Sequence, residues 1–277
     1  MSSPFDMQKF RTLIYNETGM LFDEKKDYYL TSRIEQRMKE ARIPTVAEYY
    51  QTLMLGNTRD EFQKFVEAIT INETYMFRDF PQLQGFAEKI FPAHVESKLK
   101  KKDKTMRVWS AACSTGEEAY TLAIILKEML TGHGDWQINV IATDIDTKVL
   151  DIAKKGVYGA RSMKDTPLAY RQKYFIAEDK DSFSAGPLLR NIIKFHQLNF
   201  MDKEEMRKMR NFDFIFCRNV LIYFDDNSRK KVVEQLYESL VPNGHLFLGH
   251  SESIGRITDF FETQTIQSFM SYRKPLR

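Results

Sequence analysis

The sequence predicts an α/β fold: an all-helical region followed by a doubly wound parallel sheet. Three observations support this prediction. The first 90 or so residues carry helical signals and almost no strand signals. From residue 105 onward, short apolar runs alternate with helical ones, which indicates a parallel sheet with helices on both faces. Polar residues follow these apolar runs, at the strand ends where open α/β sheets bind ligands.

The helical region contains four predicted helices, and a fifth follows it. They span roughly residues 5–18, 24–42, 45–55, 58–71 and 76–95. The second helix begins near Asp23 and ends before Pro44, since a residue that precedes proline disfavours the helical conformation. The basic segment 97–105 is expected to be a surface link into the first strand.

The α/β region contains six predicted strands and three predicted helices. The strands lie at 107–111, 138–143, 192–198, 212–217, 245–249 and 266–273, and the helices near 117–131, 146–155 and 228–240. Residues 157–191 fit the alternation poorly, so we expect an inserted subdomain at about 160–190. The predicted divisions are a helical domain (1–75), a linker with one helix (76–104) and the α/β domain (105–277).

Composition excludes several classes of protein. The net charge of +3 is too small to indicate nucleic-acid binding. It still allows a local basic surface that binds an acidic partner. No apolar run approaches the roughly 18 residues that a membrane span requires, and no signal peptide is visible. Two cysteines, Cys113 and Cys217, are too few for a disulfide framework. We therefore expect a reduced, cytoplasmic protein without membrane insertion.

The loop after the first predicted strand has the composition of a ligand-binding turn. The stretch 106-MRVWSAACSTGEEAYTLAII-125 places small residues between a strand and a helix that starts with two carboxylates. Its single glycine, Gly116, makes a poor dinucleotide fingerprint, because the three-glycine turn that cradles a pyrophosphate is missing. Asp144, 28 residues further on, can accept hydrogen bonds from both hydroxyls of a ribose. These features suit an adenosyl ligand without phosphates, of which S-adenosylmethionine is the commonest.

The amino group of that ligand is a cation, so a carboxylate in the first loop suits it. Glu117 is the better choice, with Glu118 close behind. Each polar residue also has a purely structural interpretation. Acids at a helix start interact favourably with the helix dipole, Asp144 can cap a helix, and Asn199 and Asn219 can be turn residues. Their recurrence at successive strand ends favours one shared cleft.

Five motifs in order resemble those of the chemotaxis receptor glutamate methyltransferases, the CheR family. They are 72-NETYMFRD-79, 107-RVWSAACSTGEEAY-120, 142-ATDIDTKVL-150, 217-CRNVLIYF-224 and 249-GHSES-253. The resemblance covers nearly the whole chain. It implies a helical N-terminal domain and a Rossmann-like class I methyltransferase domain with a small β-subdomain. It further implies that S-adenosylmethionine methylates glutamates on the cytoplasmic helical bundle of chemoreceptors, leaving S-adenosylhomocysteine, without a metal.

The resemblance also assigns roles to residues. It implies cofactor contacts for Asn72, Thr74, Arg78, Glu117, Asp144, Asn199, Phe200, Arg218 and Asn219. Arg78 and Tyr223 are expected to flank the methyl group and the incoming carboxylate as catalytic residues. A glutamate with a pKa near its usual value of about 4.3 is already ionised at neutral pH, so no general base is needed.

A basic helix is the predicted docking surface for the receptor. In 31-TSRIEQRMKEAR-42, Arg33 and Arg37 are four residues apart and therefore share a face, while Lys39 and Arg42 extend the charge. A solvated amphipathic helix is the alternative interpretation. Some family members bind a receptor C-terminal pentapeptide through a glycine-rich loop, but 178-EDKDSFSAGPLLRN-191 has one glycine, so this tether is not expected. We expect a monomer.

Two other functions fit the same sequence. One is a methyltransferase of the same fold that acts on nucleic acid or a small molecule, since fold does not determine substrate. The modest charge argues against nucleic acid. The other is a non-catalytic module that senses the cofactor, against which the presence of Arg78 and Tyr223 argues. A labelled-methyl assay separates the three.

Overall fold

The helical region packs around an aromatic core. The structure, a computed structural model, describes residues 4–55, 59–266 and 269–276. The region comprises α1 (Pro4–Thr18), a 3-10 turn (Glu24–Lys26), α2 (Asp27–Ala41), α3 (Val46–Met54) and α4 (Arg59–Ile69). Phe10, Tyr49 and Phe65 are fully buried, and their rings lie 6.1–6.3 Å apart. The second helix therefore begins at Asp27, after a 3-10 turn, instead of near Asp23.

A helical rod connects the two regions of the chain. It consists of α5 (Phe80–Gly85), a π-helix (Phe86–Ile90) and α6 (Phe91–Lys100). The predicted start at residue 76 is wrong because residues 76–79 form a turn, in which Phe77 and Asp79 have left-handed backbones. The predicted surface link at 97–105 is wrong in its first part, since α6 continues to Lys100.

Asp213 lies in a buried polar cluster beneath α6. Its carboxylate is 2.9 Å from His94 Nε2 and 2.8 Å from Lys98 Nζ, and it accepts a 2.8 Å hydrogen bond from the Arg107 backbone N–H. Asp213 and His94 are at most 5% exposed. The cluster fixes the C-terminal half of α6 against the amino end of the sheet, which explains why the helix extends past the predicted boundary.

The remainder of the described chain forms the α/β domain. Its strands are β1 (Thr105–Ala111), β2 (Gln137–Asp144), β3 (Val157–Gly159), β4 (Phe175–Ala177), β5 (Ser182–Ala185), β6 (Ile193–Gln197), β7 (Phe212–Cys217), β8 (Leu240–Leu248), β9 (Glu262–Ile266) and β10 (Phe269–Arg273). Its helices are α7 (Glu117–Leu130), α8 (Thr147–Lys155), α9 (Ala160–Met163), α10 (Leu168–Tyr174), α11 (Pro187–Arg190), α12 (Lys203–Lys208), α13 (Asp226–Ser239) and a 3-10 turn (Leu221–Tyr223).

Seven of the described strands form the main sheet, in the order β6-β2-β1-β7-β8-β10-β9. The pairs from β6 to β8 are parallel, and β10 is antiparallel to both β8 and β9. Of the predicted last strand at 266–273, Ile266 is the last residue of β9 and Phe269–Arg273 form β10, while residues 267–268 lie outside the described chain. The strand order reverses between β1 and β7, which is where doubly wound sheets bind ligands.

The sheet is buried on both faces. Phe214, Phe216 and Phe247 pack against Phe86 of the connecting rod, with ring centroids 4.9–5.3 Å away. Trp109 and Ile215 face the opposite side, in a core that α13 covers. The main sheet confirms the predicted Rossmann-like class. The predicted small β-subdomain is confirmed as well, since β3, β5 and β4, which come between β2 and β6 in the sequence, form a separate three-stranded sheet. Within the described ranges, no helix has the length and apolar character that crossing a membrane requires.

The helical region lies over the carboxyl end of the sheet, and the contacts there include many polar ones. Thr70 Oγ1 and Asn72 Nδ2 each donate a 2.9 Å hydrogen bond to the Asp146 carboxylate, which also caps α8. Gln63 Nε2 donates to the Ile145 carbonyl at 2.8 Å. On the other side of the cleft, residues 20 and 224 form an antiparallel bridge. The helical region is therefore positioned to supply one wall of a site at the strand ends.

Candidate active site

A cavity opens at the carboxyl ends of the parallel strands, beneath the helical region. Its wall brings together most of the residues predicted for the site, namely Asn72, Thr74, Arg78, Asp144, Asn199, Phe200, Arg218, Asn219 and Tyr223. Glu118 lines it, and Glu117 does not. The helical region contributes Lys26 and Tyr29, which sequence reasoning missed. No local pattern could identify them, because they reach the cavity only through the packing of two distant segments.

The loop after β1 has a backbone that brings it close to β2. Ala112, Ser114 and Gly116 all have left-handed φ values, of 65°, 50° and 95°. A Cβ at Gly116 would lie 2.8 Å from the Ala153 side chain and 2.9 Å from the Tyr158 hydroxyl, so glycine is required there. The Ser114 N–H donates a 2.8 Å hydrogen bond to Asp144 Oδ2. The small-residue run thus places a carboxylate beside the loop.

Asp144 is buried at the end of β2, with 7% of its surface exposed. It accepts hydrogen bonds from the backbone N–H groups of Ser114 at 2.8 Å and Asp146 at 3.0 Å. Burial raises its pKa to about 6, although these backbone donors act in the opposite direction. Asp144 lines the cavity, at the position that the sequence predicts for it.

The two glutamates at the start of α7 point in different directions. The Glu118 carboxylate accepts a 2.6 Å hydrogen bond from Ser110 Oγ and pairs with Arg218 Nη1 at 3.2 Å. Burial raises the pKa of Glu118, and Arg218 acts in the opposite direction. The Glu117 carboxylate instead accepts from Thr115 Oγ1 at 2.6 Å and from Ser162 Oγ at 2.9 Å.

The choice of Glu117 as the cavity carboxylate is therefore wrong. Successive residues on a helix are rotated by about 100°, so only one of two adjacent acids can face the cavity. Glu118 is that residue, while Glu117 is 2% exposed and joins α7 to α9 of the subdomain region. The sequence left both choices open because it does not show where the helical rotation begins.

Arg218 connects the cavity wall to the turn at 76–79. Only 7% of its surface is exposed. Its Nη2 donates 2.8 Å hydrogen bonds to the Arg78 carbonyl and to Asp79 Oδ2. Because its Nη1 also reaches Glu118, one guanidinium neutralises carboxylates on both sides.

Glu252 supports the site without lining the cavity, and sequence reasoning gave it no role although it lies in the 249–253 motif. Its carboxylate accepts hydrogen bonds from the backbone N–H groups of Gly249 (2.7 Å), Asn219 (2.8 Å) and Ile222 (3.2 Å). Asn219 has a left-handed φ of 58°. Glu252 thereby holds the loop that carries Asn219 and Tyr223 against the end of β8.

Arg78 and Tyr223 both line the cavity and both are half-buried. Arg78 Nη1 donates to the Glu73 carbonyl at 2.9 Å, and its guanidinium lies 5.8 Å from the Tyr75 ring centre. Burial raises the pKa of Tyr223, so its hydroxyl is a hydrogen-bond donor at neutral pH. The pair therefore offers a cation and a neutral donor to one cavity.

Asn72 and Asn199 use their amide groups within the protein. The Asn72 amide donates to Asp146, as described above, and the Asn199 amide donates to the Glu17 carbonyl at 2.6 Å. Both contacts join the helical region or its linker to the α/β domain. Phe200 is buried beside Trp109, with ring centres 6.4 Å apart.

The predicted docking face on α2 is only partly exposed. Arg37 is 6% exposed and forms a 2.7 Å ion pair with Glu61 of α4, so its assignment as a docking residue is wrong. It is buried because α2 packs on α4, and the sequence spacing does not show a partner 24 positions away. Lys39 and Arg42 are exposed, and Arg33 is half-buried with its guanidinium 4.9 Å from the Tyr29 ring centre.

Comparisons with known proteins agree with this arrangement of the chain. Residues 6–70 match the family "CheR methyltransferase, all-alpha domain", and residues 72–270 match "CheR methyltransferase, SAM binding domain". The chain is 37% identical to Chemotaxis protein methyltransferase 2 of Vibrio cholerae over 270 residues, which are 98% of this chain and 93% of the relative.

Two further relatives have similar coverage. Chemotaxis protein methyltransferase 2 of Pseudomonas aeruginosa is 35% identical over 90% of this chain and 86% of its own. The Borreliella burgdorferi Chemotaxis protein methyltransferase is 32% identical over 90% and 88%. Because both parts of the chain match in order and the match extends over nearly its full length, the chain belongs to the CheR family of S-adenosylmethionine-binding chemotaxis methyltransferases.

Proposed function

We propose that this protein transfers the methyl group of S-adenosylmethionine to glutamate side chains of chemoreceptors, giving glutamate methyl esters and S-adenosylhomocysteine. The observation that carries the proposal is the juxtaposition in one cavity of two carboxylates, Glu118 and Asp144, with Arg78 and Tyr223. The carboxylates suit a cationic adenosyl ligand, and the arginine and tyrosine suit an incoming carboxylate.

Residues of the cavity wall are candidates to bind each part of the cofactor. Glu118 would bind the amino group, and Asp144 would accept hydrogen bonds from the ribose hydroxyls. In the loop after β1, Gly116 packs against Ala153 and Tyr158, while the small residues Ala112, Cys113 and Ser114 line the cavity and leave room for a ligand beside the backbone. Phe200 and the aliphatic part of the wall offer an apolar surface to the purine.

The chemistry needs positioning more than proton transfer. The cofactor supplies an electrophilic methyl group: a carboxylate oxygen forms the new C–O bond as the C–S bond breaks, and the electron pair stays on sulfur. The substrate glutamate is ionised at neutral pH and needs no base. Arg78 and Tyr223 would orient one oxygen toward the methyl group, and orientation of this kind contributes a large part of a rate enhancement.

The proposed partner is the cytoplasmic helical bundle of a methyl-accepting receptor. Arg33 lies in the middle of α2, Lys39 and Arg42 lie at its C-terminal end, and Lys26 places a further cation on the wall of the cavity. We take these four cations as the proposed docking surface. A helix that presents glutamates is an acidic partner for this surface. We propose that the receptor is recognised here and that no pentapeptide tether is required.

The test of this function is transfer of labelled methyl to receptor-containing bacterial membranes, followed by mild alkali. Volatile methanol released from a receptor-sized band is the expected result, because methyl esters hydrolyse under these conditions. Alkali-stable label would contradict ester formation and would indicate nitrogen, carbon or ether-oxygen methylation. Absence of label, with S-adenosylhomocysteine still bound in a parallel titration, would contradict catalysis on that receptor.

Cofactor affinity should depend on the ionisation of Asp144. Its raised pKa of about 6 means that lowering the pH through 6 neutralises the carboxylate, which then loses an acceptor for the ribose. At pH 5 we expect S-adenosylhomocysteine to bind about tenfold more weakly than at pH 7. Calorimetric titrations from pH 5 to 8 measure this. Asp144→Asn should bind weakly and with a shallower pH dependence than wild type, whereas equal pH dependence in the two proteins would contradict the assignment.

The two adjacent glutamates make a matched pair for mutation. Glu118→Gln should weaken S-adenosylhomocysteine about tenfold or more, because a charge-assisted hydrogen bond contributes about 1.5–3 kcal/mol. Glu117→Gln changes the same charge one residue away but leaves the cavity wall intact, so its affinity should stay within threefold of wild type. Equal losses in the two variants, measured by calorimetry, would refute the assignment of Glu118.

A further inference from the structure

The turn that carries Arg78 has an unusual backbone. Phe77 and Asp79, the residues on either side of Arg78, both have a φ of 57°, in the left-handed region that non-glycine residues rarely adopt. Such conformations persist only where the surrounding structure imposes them, and they concentrate at functional sites. The contacts that impose this turn therefore also determine where Arg78 points.

The first half of the turn is held by packing. Phe77 is 3% exposed, and its ring stacks on Tyr170 at a centroid distance of 5.8 Å. Its backbone N–H donates a 3.0 Å hydrogen bond to Thr121 Oγ1 on α7. The second half is not held by packing, because Asp79 is partly exposed. Its support is the ion pair between the Asp79 carboxylate and Arg218.

Asp79 holds the second half through Arg218. The Nη2 group of Arg218 donates to both Asp79 Oδ2 and the Arg78 carbonyl, each at 2.8 Å. Asp79 precedes α5, but its side chain makes no capping hydrogen bond to that helix. Helix capping is therefore not its role, and the ion pair with Arg218 is its principal contact.

We propose that Asp79 is a positioning residue for methyl transfer, acting through Arg218 to hold the left-handed turn that presents Arg78 to the cavity. Arg218 also pairs with Glu118 at 3.2 Å, so the turn and the proposed cofactor carboxylate share one guanidinium. The assignment rests on the proposed function. Through Arg218, the turn that carries Arg78 and the carboxylate of Glu118 are held in fixed positions relative to each other.

Two variants of Asp79 separate its ion pair from its backbone conformation. Asparagine and glycine both tolerate the left-handed region, but neither carries the charge. In Asp79→Asn and Asp79→Gly we expect kcat for receptor methylation to fall at least tenfold, with the Kd of S-adenosylhomocysteine within threefold of wild type. Wild-type kcat in either variant would overturn the proposal, as would a loss confined to cofactor affinity.

Asp165 provides the matched control. It lines the same surface groove as Asp79, but its carboxylate lies near Lys164, at 4.0 Å. Asp165→Asn removes one negative charge from the same groove and should leave kcat unchanged. If kcat fell as much as in Asp79→Asn, the total charge of the groove would be the cause, and not the ion pair with Arg218.

A second measurement stays informative if the wild-type protein methylates no receptor. Hydrogen exchange of the backbone amides at 76–79, with S-adenosylhomocysteine bound, reports the turn directly. We expect exchange at least tenfold faster in Asp79→Asn than in wild type and Asp165→Asn. Unchanged exchange would overturn the positioning role, whereas faster exchange without any wild-type methylation would refute only the proposed function.

Discussion

Replacing Arg78 with alanine should lower kcat for receptor methylation about a hundredfold, while the Kd of S-adenosylhomocysteine changes less than threefold. If Arg78 stabilised the bound carboxylate and the transition state equally, it would not raise kcat, so we expect it to contribute by aiming the carboxylate oxygen at the methyl group. Its guanidinium lies at the cavity wall and is anchored by the Glu73 carbonyl. Saturation kinetics with receptor membranes and a parallel binding titration measure the two quantities separately.

Arg161 supplies the control for this variant. It approaches the Glu73 carboxylate at 3.5 Å, but its side chain is 90% exposed, so Arg161→Ala should leave both quantities unchanged. Arg78→Lys should recover part of the rate because lysine keeps the positive charge. Recovery should be incomplete because lysine lacks the planar guanidinium that can bind both oxygens of a carboxylate. Equal losses of turnover and cofactor affinity in Arg78→Ala would show that Arg78 only binds the cofactor.

Asp213→Asn should destabilise the protein by about 3 kcal/mol, because it removes a buried negative charge that Lys98 pairs with and that accepts a hydrogen bond from a backbone N–H. Asp213 is 1% exposed and contacts His94, Lys98 and the Arg107 backbone N–H at once. The variant keeps the shape of the side chain, so the loss reports charge and hydrogen bonding instead of packing. Urea unfolding followed by circular dichroism measures it.

Asp103 offers a comparison with the same cation. It pairs with Lys98 at 3.0 Å, yet its side chain is 44% exposed, and exposed pairs contribute about 0–1 kcal/mol. Asp103→Asn should therefore cost less than about 1 kcal/mol. If the two variants lost equal stability, burial would not be the reason for the importance of Asp213.

The parallel core of the fold could be predicted because its strands are continuous apolar runs. β7 (Phe212–Cys217) is buried at every position, and its predicted bounds are those observed. β9 (Glu262–Ile266) was missed because ETQTI is mostly polar and exposed, so it has no apolar run to mark it, and its pairing with β10 determines it. The short helices of the subdomain were missed for a similar reason, since packing determines them more than local pattern.

The site could be predicted as a set of strand-end residues but not as oriented side chains. Asp144 is the last residue of β2, and the sheet topology alone is enough to predict its place in the cavity. Glu117 and Arg37 turn away from their predicted surfaces because Ser162 and Glu61 bind them from other elements. Lys26 and Tyr29 enter the cavity from the helical region, which no motif could indicate.

Because one cavity takes its wall from both regions of the chain, a ligand there also holds the regions together. Tyr29 and Asp144 would contact the same molecule from opposite sides, across an interface rich in polar contacts. A ligand at a hundred times its Kd adds about 2.7 kcal/mol to the stability of the state that binds it. We therefore expect S-adenosylmethionine to stabilise the arrangement of the two regions as well as to supply the methyl group, and the thermal unfolding temperature should rise with its concentration.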